Sequence, residues 1–440
     1  MDYLHDSHRS MFAKLLPSAI GAMLSETVAS LIDTIILSHY LGPDMLSTIS
    51  IVMPIYMLVN TLSMLIVSGG ATLFAQSLGR EDKEEAQRYY TCSIVLMVSS
   101  GAILTLFGLL FTELIITALG ASGTILLPTV RYARVLFAFM IPLSLYQQLM
   151  VYVRFDGAPI LSLISTVVCA VVNLALDVLF VGVFQWEAAG AALATCIAYT
   201  IAMLINAGHL LQKSNGLIFR PHSMSRARVG RLLKTGIPLS VTQLGMALGT
   251  SLFNIRIMNV GGSLYLDVYA AITQLTVVAM ALYEGIAQAC QPILAACYGA
   301  KDWERTKQTV RYGFLMEIIA MTFATLLYWF GAGVAANLFS MQEEVLHRTA
   351  VEAIRIYSTS LLFTGFNTMI IYYFQVQERE VTATSISLLA GTILPVIFLY
   401  LLTQIFNVGG AWWCYLLAQG FTLILSMILY IRDNKNKALM

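Results

Sequence analysis

Twelve times in 440 residues the chain runs through roughly 20 predominantly apolar positions, each long enough as an α-helix to cross the ~30 Å hydrocarbon core of a bilayer. In hydrocarbon the backbone N–H and C=O groups must be bonded within the segment itself, so runs of this length are expected to be helices. Their centres fall near Thr27, Leu62, Gly101, Met140, Val171, Ala198, Gly245, Ala281, Phe323, Thr364, Ile393 and Leu423. Turns with Gly, Pro, Asp or Asn separate most of them, such as Leu41-Gly42-Pro43-Asp44 and Asn259-Val260-Gly261-Gly262. With 58% hydrophobic and 11% charged residues, the expected fold class is an all-α polytopic membrane protein.

One long polar connection, Gln212 to Lys234, divides the chain. The expected organisation is an amino-terminal six-helix lobe over 1–212, a linker over 213–232 and a carboxyl-terminal six-helix lobe over 233–440. Most of the 25 Lys and Arg residues fall in the amino terminus, alternate loops and the tail: Arg80/Lys83/Arg88, Arg154, Lys213 to Lys234, Lys301/Arg305/Lys307/Arg311, Arg379 and Arg432/Lys435/Lys437. The positive-inside rule then places both termini and the linker in the cytoplasm, with the chain in the inner membrane. The polar amino terminus lacks the apolar run and cleavage site of a signal peptide and is expected to stay on the mature protein.

The halves repeat. Gln76-Ser77-Leu78-Gly79-Arg80-Glu81-Asp82 is echoed by Cys297-Tyr298-Gly299-Ala300-Lys301-Asp302, Gly42 by Gly262, and Gly190-Ala191 by Gly410-Ala411, all at a spacing of about 220. Six helices return the chain to its starting side, which predicts two bundles related by a pseudo-two-fold axis along the membrane normal.

Polar residues inside the apolar runs are the functional candidates. A charge at the bilayer centre costs roughly 2.5–3.5 kcal/mol on insertion scales unless something binds or pairs with it. The first half places Glu26 and Asp33 seven apart on helix one, Asn173 and Asp177 four apart on helix five, and Thr195 on helix six. Carboxylate, carboxamide and hydroxyl oxygens suit a small hard cation, or protons if the acids titrate. The alternative is a set of unrelated polar residues, each bonded to nearby backbone. At the repeat spacing Asp33 aligns with Phe253, Asn173 with Ile393 and Asp177 with Ile397, so the second half lacks these groups.

That half has its own set: Glu284, Gln288 and Gln291 along one face of helix eight, with Asn254 and Arg256 on helix seven. They read as a substrate cavity with a Glu284–Arg256 ion pair, or as a structural pair, or as Arg256 snorkelling to the surface. Glu317, Glu352 and Arg355 lie nearer helix ends and are expected at the interface. The 21 Tyr, 21 Phe, 5 Trp and 21 Met include candidates for stacking and cation–π contact with amphipathic cations, without a pattern that selects them. Six cysteines, all in apolar segments and without ligand spacing, read as small core residues. Walker A, HExxH and GxSxG are absent, so neither an ATP-driven pump nor a soluble-type enzyme is expected.

Over essentially its whole length the chain resembles the multidrug and toxic compound extrusion (MATE) transporters of prokaryotic type. The points of resemblance are Pro17 followed by Asp33-Thr34 in helix one, Asn173-x3-Asp177-x2-Phe180 in helix five, Gly190-Ala191-Ala192 opening helix six, and Gln291-Pro292 with Tyr298-Gly299-Ala300 closing helix eight. The resemblance implies a secondary antiporter exporting organic, often cationic, compounds against inward sodium or protons by alternating access of two lobes. It implies a coupling site at Asp33, Asn173, Asp177 and Thr195, which becomes a metal site if sodium is the ion, with Glu26 added from the sequence reading. Relatives with a second-lobe site carry acids on helices seven and ten; here helix seven has Met246 and Phe253 and helix ten has no central acid. Where many relatives have Gly after helix ten, this chain reads Gln377-Glu378-Arg379-Glu380. No cofactor beyond the coupling ion and no nucleic-acid partner are expected; small amphipathic substrates, the lipid bilayer and a monomeric state are. The alternative function is a flippase for a lipid-linked saccharide or other amphipathic lipid, which would expect an Arg-rich cavity where only Arg256 looks central. A channel or an intramembrane protease fits less of the pattern.

Overall fold

The computed structural model describes residues 3–212, 215–338 and 344–438, with the side chains of 34, 38, 41–47, 338 and 436–438 outside the description. Every regular element among them is helical. The first part of the chain contributes α1 His8–Gly79, α2 Lys83–Leu110, α3 Thr112–Ala118, α4 Leu126–Ala138, α5 Met140–Phe155, α6 Pro159–Asp177 and α7 Glu187–Ala207. The second contributes α8 Arg226–Gly261, α9 Ser263–Ala300, α10 Trp303–Leu338, α11 Glu344–Val376, α12 Glu380–Leu388, α13 Leu394–Phe406 and α14 Gly409–Ala438. Two compact units result, Met1–Gly236 and Ile237–Met440. The described part of the linker packs with the first: Arg228 reaches Glu85 on α2 at 3.3 and 3.1 Å, and Arg220 Nε donates to Gln87 Oε1 at 2.8 Å.

Up to ten spans among the described residues are long and apolar enough to cross a membrane, counting one bent pair once. α8 and α11 complete the expected twelve; each matches the others in length but opens on charged residues, Arg226, Arg228 and Arg231 in one and Glu344, Arg348 and Glu352 in the other. Two boundaries differ from expectation. The turn at Leu41–Asp44 falls inside α1, whose 72 residues carry the two candidate spans His8–Leu37 and Thr48–Gly79. Conversely, the span centred on Met140 is two helices meeting at 51°. Pro142 has no N–H for the Ala138 carbonyl and its ring crowds that carbonyl, which accounts for a break at Phe139.

The repeat is written into the backbone. Asp82 Oδ1 accepts the Glu85 N–H and Asp302 Oδ1 accepts the Arg305 N–H, both at 2.9 Å, so each unit caps the helix of its third span with an Asp at the same place. Left-handed residues recur at the same spacing: Glu81 and Lys301 both at φ 61°, Glu187 at 53° and Asn407 at 52°. Near the end of α5 the left-handed position is Gly157; past α11 it is Glu378, at φ 56°. That is the place where the resemblance led one to expect glycine. Arg379, the next residue, forms an ion pair with the buried Asp433 at 2.8 Å, which gives the altered sequence a structural use. An L-residue held left-handed costs roughly 1–2 kcal/mol, part of which glycine returns as unfolded-state entropy. Glu378→Gly is therefore expected to stabilise the detergent-solubilised protein by about 0.5–1 kcal/mol, read as a raised midpoint in thermal unfolding.

Candidate cation-coupling site

α6 presents a hydrophobic face to α1 and α7, and Asp177 is its last regular residue. Beyond it the helix widens into a π turn over Val178–Val183, where the Phe184 N–H bonds back five residues to the Leu179 carbonyl at 2.9 Å. Turns of this kind collect at functional sites because they redirect side chains without breaking the helix. Asp177 is fully buried, 0% exposed, and its carboxyl is in side-chain contact with that of Asp33 from α1. Asp33 Oδ1 and both Asp177 oxygens are buried without a hydrogen-bond donor among the described residues. The two acids thus meet in an apolar interior with no cationic side chain or donor on these three oxygens.

Asn173, one turn earlier on α6, donates from Nδ2 to Thr195 Oγ1 at 3.4 Å, and Thr195 in turn donates to the Ala191 carbonyl at 3.0 Å. Their contact leaves Asn173 Oδ1 as an oxygen acceptor in the same helix pair. Thus Asp33 and Asp177 meet, and Asn173 meets Thr195. Glu26 lies elsewhere: two turns from Asp33 along α1, about 10 Å, it accepts from the Tyr146 hydroxyl at 3.4 Å, and Arg154 is within electrostatic range. Arg154, expected at a loop, is 2% exposed inside the unit.

The residues that composition could not select are tyrosines within spans. Tyr132 on α4 is 4% exposed, sits near both Asp33 and Asp177, and has its hydroxyl 3.4 Å from that of Tyr56. Tyr199 on α7 is within electrostatic range of both Asp33 and Glu26 and meets Tyr146 edge-on with ring centroids 5.0 Å apart. The available signal was position: these tyrosines sit within spans, whereas belt residues sit at helix ends.

The second unit closes the corresponding space with rings. Phe253, in place of Asp33, is 1% exposed and packs on Tyr269 and Tyr415 at 5.4 and 4.9 Å. The residues aligned with Asn173 and Asp177 at the repeat spacing, Ile393 and Ile397, differ from Asp177 in exposure. Ile393 and Ile397 are 41% and 46% exposed, whereas Leu399 is 0% exposed. The second unit's π turn, Leu389–Ile393, precedes this stretch, while that of the first unit follows Asp177, so the two helices are out of rotational register between the turns. The inward position is apolar either way.

The Glu284–Arg256 pair is not formed. Arg256 donates to Thr403 Oγ1 at 2.9 Å and lies 5.0 Å over the Tyr400 ring, while Glu284 accepts from the Tyr372 hydroxyl at 2.9 Å. Arg256 faces α13, where it has both a hydroxyl and an aromatic face. Gln291 is buried and reaches Gln375 at 3.4 Å, Gln288 is half-buried and Asn254 is exposed. Glu317, expected at an interface, is fully buried.

The MatE family model matches residues 18–179 and 238–401, most of both units. The chain belongs to the MatE family. Within the MatE family it is similar to the "Multidrug export protein MepA" of Staphylococcus haemolyticus, 27% identical over 437 residues, covering 97% of this chain and 94% of that one. The "Probable multidrug resistance protein YoeA" of Bacillus subtilis is 25% identical over 95% of this chain and 92% of its own length. Among solved structures, the outward-facing conformation of a multidrug resistance MATE family transporter of the MOP superfamily superposes with a TM-score of 0.93 at 21% identity, covering 100% of this chain and 98% of that chain. The two-bundle fold of the MatE family is thus the fold of this chain.

Proposed function

We propose that this MatE protein is a secondary antiporter that exports amphipathic organic compounds, often cationic, in exchange for sodium ions or protons. It would do so as a monomer in the cytoplasmic membrane, with both termini and the linker on the cytoplasmic side. The observation that carries the reading is the donor-free contact between Asp33 and Asp177. Left bare, two carboxylates in an apolar interior repel, and each lacks the hydration it would have in water. A bound cation or proton removes the repulsion and draws α1 toward α6. Ion occupancy therefore biases the position of α1, with Asn173 and Thr195 offering neutral oxygens beside it. Export follows only if ion and substrate bind the two conformations unequally; moving an equilibrium from 1:99 to 99:1 takes about 5.5 kcal/mol of differential affinity. The names of the relatives, multidrug export and multidrug resistance proteins, support the choice of substrate class.

The test is efflux of a fluorescent organic cation from proteoliposomes under an imposed sodium gradient, an imposed proton gradient, or neither. One gradient is expected to drive export and the others not. Equal efflux under all three would sink ion coupling. Replacing Thr195 by Val removes one neutral oxygen while keeping shape, and is expected to weaken the apparent affinity for a sodium ion about tenfold, roughly 1.4 kcal/mol, with little change for a proton. The half-saturating ion concentration in the same assay reads this directly.

A further inference from the structure

We infer that Glu317 and Glu284 form a second proton-binding site, inside the second unit. Glu317 lies on α10, which packs against α9 and α11. It is 0% exposed, and neither carboxyl oxygen has a hydrogen-bond partner among the described residues. α11 makes room for it at Gly365, where any Cβ would collide with Glu317 Oε2. The acid is thus accommodated by a deliberate absence of side chain and left without a donor. The titratable groups that face it are Glu284, Tyr283 and Cys290, all from α9. Glu284 takes the Tyr372 hydroxyl from α11, at 2.9 Å. No Lys, Arg or His is among these neighbours.

A carboxylate with neither cation nor donor, in such surroundings, costs several kcal/mol, and a second carboxylate within electrostatic range adds to that cost. A neutral acid at Glu317 beside a Tyr-bonded Glu284 is an arrangement this interior accepts. Two carboxyls and one hydroxyl fall short of the oxygen count and geometry of a metal site. The ligand is therefore a proton. Because Glu317 sits against Gly365 and within electrostatic range of the Tyr372-bonded Glu284, proton binding there is tied to the packing of α9, α10 and α11. The site is separate from Asp33 and Asp177 and lies on helices eight and nine of the twelve. Its use in transport rests on the proposed antiport; its existence does not.

The test takes the purified full-length protein and compares infrared spectra of wild type, Glu317→Gln, Glu284→Gln and Gly365→Ala across neutral to alkaline pH. We expect a carboxylic-acid C=O band at neutral pH that is lost in Glu317→Gln and displaced in frequency in Glu284→Gln and Gly365→Ala. The last two cover the case in which Glu317→Gln does not fold. A carboxylic-acid band unchanged in every variant that folds overturns the site. In proteoliposomes under a proton gradient, Glu317→Gln, whose neutral amide mimics the protonated acid, is expected to export at least tenfold more slowly while eluting as wild type in size exclusion. Undiminished export would remove the site from coupling. Absence of export from wild type under any gradient would overturn the antiport reading and leave the infrared result to decide the site.

Discussion

Asp177→Asn is expected to fold as well as the natural protein and to lose gradient-driven export about a hundredfold. Asn keeps the shape of the side chain and removes its charge. Asp177 is fully buried without a donor, so the substitution takes away an uncompensated group and thermal stability should hold or rise. What disappears is the difference between the empty and the occupied site. An uncompensated carboxylate in the interior costs roughly 2.5–3.5 kcal/mol, and cation or proton binding is worth about that much to the conformation that takes it up. Removing 2.7 kcal/mol of differential affinity corresponds to about a hundredfold in the equilibrium it drives. Asp33→Asn should act in the same direction. The measurement is the initial rate of gradient-driven export from proteoliposomes, with the unfolding midpoint measured alongside. A destabilised Asp177→Asn protein would mark the carboxyl as structural, and full export would remove Asp177 from coupling.

Gly69→Leu should damage the fold more than any single change at the site. α1 and the first turns of α8 approach so closely that a Cβ at Gly69 would collide with the Leu232 carbonyl, and one at Gly236 with the Leu65 carbonyl. The obstructing atoms are backbone, which cannot rotate aside as a side chain would. Overpacking in a close-packed core commonly costs 1–3 kcal/mol, and a backbone-on-backbone clash belongs at or beyond the upper end, about 3 kcal/mol. Close approach at small residues is also how helices associate in lipid, where no hydrophobic force separates them from their surroundings. We expect poor recovery of Gly69→Leu and Gly236→Leu after membrane extraction, and a lower unfolding midpoint for the alanine variants. Gly331 has nothing within 4 Å of where its Cβ would be, so Gly331→Ala serves as the tolerated control. Equal behaviour of Gly69→Ala and Gly331→Ala would refute the packing argument.

The class of fold and the acid pair were legible because each follows from a cost that acts along the chain. Hydrocarbon demands internal backbone bonding, hence runs of about 20 apolar residues. It also penalises charge, hence attention to Asp33 and Asp177. The repeat was legible through its caps, since an Asp at 82 or 302 bonds a backbone N–H only three residues away. Such interactions are local, and sequence spacing describes them adequately.

Other features depend on what lies across the bundle. Arg256 could not be assigned to Thr403 and Tyr400 from helix periodicity, because those partners are nearly 150 residues away. Glu317 looked interfacial by its distance from a helix end, yet Gly365 on another helix opens the space that buries it. The π turns displaced the register between Asp177 and its counterpart, which a fixed spacing of 220 could not register. Sequence alone determined the helical class, the duplication and the unusual charge on helices one and five, because solvent cost and local hydrogen bonding act on neighbours in the chain. Only the tertiary structure decided which acids face one another, which tyrosines surround them and which glycine makes room for Glu317, because those outcomes depend on the direction and packing of side chains brought together from distant helices.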